Sequence, residues 1–555
     1  MSVDDVISRA RAWRDDDPDP ETRAEVDALL EAGDLAALAE RFDHRLEFGT
    51  AGLRGAEGAG PNRMNRALVR WATAGLAAWL DGAGHAGGKV IVGRDGRRGS
   101  AAMAADAAAV LAGAGYEAAQ FPGVIPTPLV AYAVRTLGAA AGVVVTASHN
   151  PAADNGYKVY AADGAQIAPP MDAEISARID AVPSRRDIPL APDAVRDVPD
   201  GLIAEYVADV AAMTVSEPRD VHVAYSPMHG VGRLVLERVL AATGFPPPVV
   251  VPQQADPDPT FPTVPFPNPE EPGAMDLLLH LARSERAHLA IANDPDADRL
   301  AVAVPDPARN GGWRVLTGDE IGTLLGDWRL ERDGTGRQRL VATTIVSSSL
   351  LAKLAAEHHV SYAETLTGFK WLARAALAAP SLRPIYAYEE ALGSCVGDVV
   401  RDKDGISAAM AFAELVASER AQGRSVLDRL DDIHRRHGVH LTAQRSIRIE
   451  GADAVARARA VVDRIADAPP VMVGSQGVTD VDDLRPGLGD LPPSDVVRIH
   501  LTGGRVIVRP SGTEPKLKAY VEVVEPLGSG DLGAARQRAA ATLADVLTGL
   551  DALLG

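Results

Sequence analysis

Short apolar runs alternate with longer Ala- and Leu-rich stretches along most of the chain, separated by polar loops. A β-branched run bounded by turn residues predicts a buried strand, and a longer Ala/Leu period predicts a helix. Residues 1–46 read as a helical lead-in interrupted by Pro18 and Pro20. Residues 89–93 form a strand, an Ala-rich helix covers about 100–114, and residues 141–145 form a second strand. That strand runs into Thr146-Ala147-Ser148-His149-Asn150-Pro151, which places Ser148 at a carboxyl end, where open α/β sheets put their chemistry. Residues 152–158 are expected to turn and bring Lys158 back towards the serine, and 183–200 read as a boundary.

The same plan returns downstream. A strand over 221–225 leads into a Ser226–Gly232 loop, a helix, and a strand over 249–251. Residues 252–272, crowded with proline and acidic groups, cannot be regular structure. The strand 288–292 then breaks into Asn293-Asp294-Pro295-Asp296-Ala297-Asp298-Arg299. A third unit starts near 316–320, with strands over 340–346 and 385–388 and a loop over 365–370. Its last strand ends in Glu389-Glu390-Ala391-Leu392-Gly393, and a long helix follows Arg401–Ile406. A last domain begins near His440, with strands 496–501 and 505–508 flanking a Gly503-Gly504 hairpin turn. Strand–helix–strand alternation predicts α/β layers.

Length changes the picture by allowing about three to five domains of roughly 100–200 residues. The single cysteine, Cys395, excludes an internal disulfide and fits a reducing compartment. An acidic start, where a signal peptide is basic and then apolar, makes the cytoplasm the expected location. No apolar run approaches the ~20 residues of a membrane span. A net charge of −19 argues against nucleic acid as a partner. A small anionic substrate stays open, since local cations and backbone N–H groups suffice for a phosphate. Of the 56 Lys+Arg, seven are lysines, and Lys158, Lys370, Lys403, Lys516 and Lys518 stand in motif-like stretches.

Three carboxylates at Asp294, Asp296 and Asp298 can converge on one hard cation if the loop coils around it, and all-oxygen ligation suits Mg²⁺. The alternative is an acidic turn, which leaves three like charges repelling one another. With Ser148 the loop suggests phosphoryl transfer, the serine oxygen carrying the group and Lys158 or His149 moving a proton. Arg54, in the Gly-rich Phe48–Gly55 loop, can fork onto a phosphate. Arg509 with Ser511, Gly512 and Thr513 makes a plausible phosphate cradle, although Arg509 could instead pair with Glu514. Glu389 could accept hydrogen bonds from sugar hydroxyls, or Glu389 or Glu390 could cap the next helix.

Four stretches together, Thr146–Pro151, Asp294–Arg299, Glu389–Gly393 and Arg509–Thr513, resemble the α-D-phosphohexomutase superfamily in order and spacing. Phe48–Gly55 and the Ala391-Leu392-Gly393 form of the sugar loop resemble its longer phosphoglucomutase/phosphopentomutase-like branch. The resemblance implies an α/β fold: three similar mixed-sheet α/β domains and a smaller C-terminal α+β domain around a central cleft. The expected boundaries are 1–200, 201–315, 316–435 and 436–555. It implies that Ser148 is the phosphoserine, binding Mg²⁺ together with Asp294, Asp296 and Asp298. Phosphate or acid–base roles are implied for Arg54, His149, Lys158, Arg299 and Lys370. Glu389 matches the sugar-reading loop, and Arg509, Ser511, Gly512 and Thr513 match the distal phosphate site. Ala391 departs from the many glucose- and mannose-specific members that carry a serine there.

The expected reaction moves phosphate between C1 and C6 of glucose or mannose phosphate through a sugar bisphosphate such as glucose 1,6-bisphosphate. The same machinery would serve C1 and C5 of a pentose. A phosphoserine-type phosphatase and a non-catalytic sugar-phosphate sensor are the rival readings. The expected partner is a small sugar phosphate, with no nucleic acid or membrane, and the protein a monomer or small homo-oligomer.

Overall fold

The computed structural model describes residues 3–183, 185–334, 338–449, 454–511, 516–528 and 530–554. By internal contacts the chain divides into two units, Met1–Leu316 with Gly393–Ser418, and Thr317–Leu392 with Glu419–Gly555. Among the described residues no helix is long and apolar enough to cross a membrane.

The first unit begins with helices Val3–Asp16, Pro20–Ala32 and Leu35–Phe42, which bury Val6, Ala10, Trp13, Leu38 and Phe42 together. Pro20 opens the second helix instead of merely interrupting the lead-in: its missing N–H costs nothing there, and Asp19 caps Glu21. A six-stranded mixed sheet follows, in the order Leu53–Ala56, Asp154–Ala161, Ala141–Val145, Lys89–Arg94, Glu117–Gln120, Arg196–Asp197. Its central strands are parallel, while Asp154–Ala161 runs antiparallel to both Ala141–Val145 and Leu53–Ala56. Helices Arg66–Gly82 and Ser100–Gly113 cover one face, closing on Val90, Val92, Val143 and Val145. Helix Thr127–Thr136 lies on the other face, where Gly93 and Gly142 leave the room that Val130 and Val134 fill.

A second, five-stranded mixed sheet has the order Trp313–Val315, Ala301–Pro305, Leu289–Ala292, Val223–Ser226, Val249–Val250. Leu289–Ala292 and Val223–Ser226 are parallel and wholly buried, so their carboxyl ends emerge side by side. The Pro-rich stretch holds only a short 3-10 turn, Pro252–Gln254, among its described elements.

In the second unit, helix Gly318–Arg332 starts with a reciprocal Thr317/Glu320 cap. It packs against Arg383–Glu389, which with Ser361–Thr365 flanks Arg339–Thr344 in parallel. The unit ends in an antiparallel six-stranded sheet, ordered Val439–Arg448, Lys516–Glu525, Gly504–Pro510, Val497–Leu501, Gln476–Asp483, Met472–Val473. Helices Ala454–Asp467 and Leu532–Leu554 pack on this sheet around Val462, Val506, Val521 and Val546.

Candidate active site

Ala141–Val145 is buried at every position, and the chain leaves it sharply. Ser148 takes a left-handed φ of 52°, which is uncommon for a residue with a Cβ and turns its side chain inward. Its N–H donates to Thr146 Oγ1 (2.9 Å), and its hydroxyl donates to Asp294 Oδ2 (2.7 Å). His149 Nδ1 stands 3.2 Å from the same hydroxyl. Burial, with Arg299 and Arg54 nearby, holds the His149 imidazole well below its ordinary pKa, so the ring is neutral.

The aspartate loop leaves Leu289–Ala292 in the second sheet. Asn293 brackets it, accepting from the Tyr225 hydroxyl (2.9 Å) and donating to the Arg299 carbonyl (2.7 Å). Ala297 in its middle has a φ of 58°. The loop coils as the spacing requires: one oxygen from each of Asp294, Asp296 and Asp298 lies within 4.8 Å of the others. All three residues are fully buried. Lys158 Nζ donates to Asp296 Oδ2 (2.7 Å) and Asp298 Oδ2 (3.0 Å), and Thr127 Oγ1 donates to Asp296 Oδ2 (2.7 Å). Lys403 Nζ stands 3.4 Å from Asp298 Oδ2. Asp296 Oδ1 and Asp298 Oδ1 are nevertheless buried without a hydrogen-bond partner. Buried carboxylate oxygens are rarely left so, and a hard cation is the group these oxygens fit.

Electrostatics agree with a loop built around a positive charge. Burial pushes Asp294 far above the usual carboxylate range, and the charges of Asp296 and Asp298 add to the push. Burial acts the same way on Asp296, but the Lys158 charge and hydrogen bond outweigh it and hold Asp296 low. Lys158 is lowered by burial and raised more strongly by Asp296 and Asp298, so it stays charged.

Two expectations need correction. Lys158 lies on a strand rather than in a turn; the chain does double back, pairing Lys158 with Val144 beside the strand that leads to Ser148, and its hydrogen bonds go to the aspartates. Arg54 likewise sits on the strand Leu53–Ala56 rather than at a loop's end, paired with Gly156, and donates to Asn150 Oδ1 (3.1 Å). Burial lowers the Arg54 pKa, with Asp296 opposing. Arg299 Nη1 is 3.7 Å from Glu270. Sequence reasoning missed Thr127 and Arg97, and left Lys403 unassigned although the scarcity of lysine had marked it.

The remaining candidates belong to the second unit. Glu389 closes the strand Arg383–Glu389 and is buried. Glu390 Oε2 accepts from Ser347 Oγ (3.1 Å) and Thr344 Oγ1 (3.3 Å). Burial, then the charges of Glu389 and Asp319, raise Glu390 to about 7. Lys370 is the second residue of helix Phe369–Ala378, just after Gly368 at φ 111°. Arg509, on Gly504–Pro510, lies with its guanidinium carbon 5.9 Å from the Tyr520 ring centre. The Ser511 N–H donates to the Lys516 carbonyl (2.7 Å), while Gly512, Thr513 and Glu514 lie outside the described residues.

Family profiles match the chain in four consecutive blocks. They are the phosphoglucomutase/phosphomannomutase alpha/beta/alpha domains I (residues 45–186), II (204–310) and III (317–436) and the C-terminal domain (453–526). The chain belongs to the α-D-phosphohexomutase superfamily. It is an isomerase of the intramolecular phosphotransferase kind. Among its relatives, a protein of Haemophilus influenzae named "Probable phosphomannomutase" is 41% identical, over 83% of this chain and 93% of that one. A Mus musculus protein named "Phosphopentomutase" is 34% identical, over 94% of this chain and 90% of that one. A phosphoglucomutase/phosphomannomutase family protein of Burkholderia thailandensis shares the fold at a TM-score of 0.67 and 19% identity, covering 89% of this chain and 97% of that one.

Proposed function

We propose that this phosphomutase moves phosphate between C1 and C6 of glucose or mannose phosphate, with Ser148 as the carrier. The observation that carries the reading is the Ser148 hydroxyl 2.7 Å from Asp294, within a carboxylate cluster that keeps two buried oxygens without a hydrogen-bond partner. Phospho-Ser148 passes its phosphoryl group to the free sugar hydroxyl; the P–Oγ bond breaks, a P–O bond to the sugar forms, and the hydroxyl proton ends on Oγ. The resulting bisphosphate, glucose 1,6-bisphosphate for glucose, presents its other phosphate, and the same exchange runs in reverse. Asp294, Asp296 and Asp298, with the serine oxygens, would hold Mg²⁺, which neutralises phosphate charge during transfer.

In this reading neutral His149 receives or returns the proton, and charged Lys158 fixes the aspartates while Arg54, Arg299 and Lys370 face phosphate charge. Glu389 accepts from sugar hydroxyls. Arg509, Ser511, Gly512 and Thr513 grip the distal phosphate. The domains proposed to carry these groups are 1–200, 201–315, 316–435 and 436–555.

A second reading, C1/C5 transfer on ribose or deoxyribose phosphate, has its own support. Ala391 offers no hydroxyl where hexose-reading relatives carry serine, and a site lacking a polar partner penalises a missing sugar hydroxyl less. The full-length likeness to a phosphopentomutase favours it too. Two measurements test the proposal. Intact mass after incubation with glucose 1,6-bisphosphate should show one phosphate on the wild type and none on Ser148→Ala, which should lose nearly all mutase activity. kcat/KM over glucose, mannose, ribose and deoxyribose 1-phosphates then ranks hexose against pentose. Comparable turnover by Ser148→Ala would sink the mechanism.

A further inference from the structure

The Ser148 loop is held by a residue that nothing in the reaction scheme uses. Arg97 follows the strand Lys89–Arg94, and its side chain is almost wholly buried. Its guanidinium donates to four backbone carbonyls of one loop. Nη1 reaches Pro151 (2.7 Å) and Asp154 (2.9 Å), and Nη2 reaches Ser148 (2.7 Å) and Asn150 (2.6 Å). Nε is 3.3 Å from Asp95 Oδ2, and Asp95 Oδ1 accepts from the Arg97 N–H (3.0 Å) and from Ser100 Oγ (2.6 Å). Phe261, from the Pro-rich stretch of the second sheet's domain, lies 5.1 Å from the guanidinium carbon and closes the site.

We propose that Arg97 is a positioning residue for phosphoryl transfer: it fixes the 148–154 loop, and with it the Ser148 hydroxyl, from behind. The inference rests on the mutase reading for its kinetic consequence but on geometry for its structural one. Four carbonyls turned onto one buried guanidinium converge the negative ends of four peptide dipoles, and only a cation with several donors satisfies them together. Holding the Ser148 carbonyl fixes the peptide plane after a left-handed residue, a conformation that surrounding structure must enforce. A nucleophile that serves both half-reactions must stay within about 0.5 Å of its working position. Lysine keeps the charge of Arg97 but, as a point donor, cannot span four carbonyls.

The test is Arg97→Lys, with Arg97→Ala beside it. Hydrogen exchange over 147–154 should quicken in Arg97→Lys while exchange in the antiparallel sheet of the second unit stays as it was. Ser148 phosphorylation by glucose 1,6-bisphosphate, in single turnover per folded molecule, should slow by about 10²-fold, with KM little changed. Millimolar guanidinium should restore part of the Arg97→Ala rate and methylammonium should not. If Arg97→Ala fails to fold, Arg97→Lys carries the test alone. Unchanged loop exchange, or a wild-type phosphorylation rate, in Arg97→Lys overturns the inference. A wild type that takes no phosphate from the bisphosphate, with the Arg97→Lys loop loosened, removes the mutase reading and leaves the positioning role standing.

Discussion

Each unit buries a cluster of acids, and the two clusters are finished differently. In the second unit Glu522, on the strand Lys516–Glu525, has both oxygens fully engaged. Oε1 accepts from Ser348 Oγ (2.7 Å), Ser349 N (2.8 Å) and His440 Nδ1 (2.9 Å), and Oε2 accepts from Arg505 Nε (2.8 Å). Lys353 donates to His440 Nε2 (3.0 Å), which leaves the imidazole proton on Nδ1, facing Glu522. The aspartate loop of the first unit has two lysines and still leaves Asp296 Oδ1 and Asp298 Oδ1 without a hydrogen bond, the latter with only the Arg299 Nε charge 3.9 Å away. Completion and incompletion point to different uses. A satisfied buried acid ties segments of the chain together, whereas one left short of partners is poised for a ligand.

Asp296→Asn breaks the first cluster hardest. It should slow mutase turnover by about 10²–10³-fold, the usual cost of removing one fixed electrostatic partner from a developing charge. It should also shrink the rise in melting temperature that Mg²⁺ gives the wild type, because a ligand that binds only the folded state stabilises it by mass action. Calorimetry in EDTA and in Mg²⁺ reads the second effect without any substrate. An unchanged Mg²⁺ shift would take Asp296 out of the cation site.

Much of the first cluster is legible in the sequence, for a physical reason. Its acids stand at alternate positions just after an apolar run, where a plain turn requires no such charge. What holds the cluster is not legible, because it comes from distant chain. Thr127 lies at a helix start in another domain, and Arg97 reaches carbonyls more than fifty residues on. Asp154-Asn155-Gly156 misled the reading of Lys158, since all three are turn formers. Pairing with Leu53–Ala56, and the Thr146 N–H donating to the Gly156 carbonyl, keep them extended, and Gly156 is needed because a Cβ would press on the Thr146 and Leu53 carbonyls. The helix Val426–His437 went unread although Ser425 and Asp428 form a reciprocal cap at its start. The strand Ser361–Thr365 is half-buried and mixed in character, so its place comes from parallel pairing rather than its own pattern.

Glu522→Gln attacks the finished cluster instead. Gln keeps the shape but removes the charge that Arg505 faces, leaving a buried guanidinium short of its carboxylate. Arg505 retains Glu364 (3.2 Å) and the Ser347 carbonyl (2.6 Å), so the loss should be about 3 kcal/mol, at the low end for a broken buried pair. Urea unfolding at neutral pH measures it. Turnover per folded molecule should stay close to the wild-type value, the reverse of the Asp296→Asn pattern. A stability loss no larger than that of Asp296→Asn in EDTA would erase the contrast between the clusters.

The smallest effect, and the most specific to cause, is the pH dependence of that loss. Burial pushes Glu522 up, but Arg505 and the His440 hydrogen bond outweigh it and bring the carboxyl down to about 2, from an ordinary value of 4.5. As pH falls below about 5, the unfolded chain takes up this proton before the folded one does. The stabilisation is therefore complete above 4.5 and drains away between 4.5 and 2, for a total of about 3 kcal/mol. Asp319 and Glu390, raised by burial to about 6 and about 7, act in the opposite sense. The folded chain holds their protons more tightly, so they favour the native state as pH falls from 7 towards 4. Glu522→Gln removes the acid-side loss, and with it the Glu522 charge that helps raise Asp319 and His440, so the variant also gives up a little of what those groups contribute as pH falls from 7 to 5. The gap between wild type and variant should thus widen slightly from pH 7 to 5, through Asp319 and His440, and narrow steadily from 4.5 to 3, read from urea midpoints at each pH. A gap equally wide at pH 6 and pH 3 would mean that the Glu522 carboxylate is not held down by Arg505 and His440, and that the variant loses stability through packing alone.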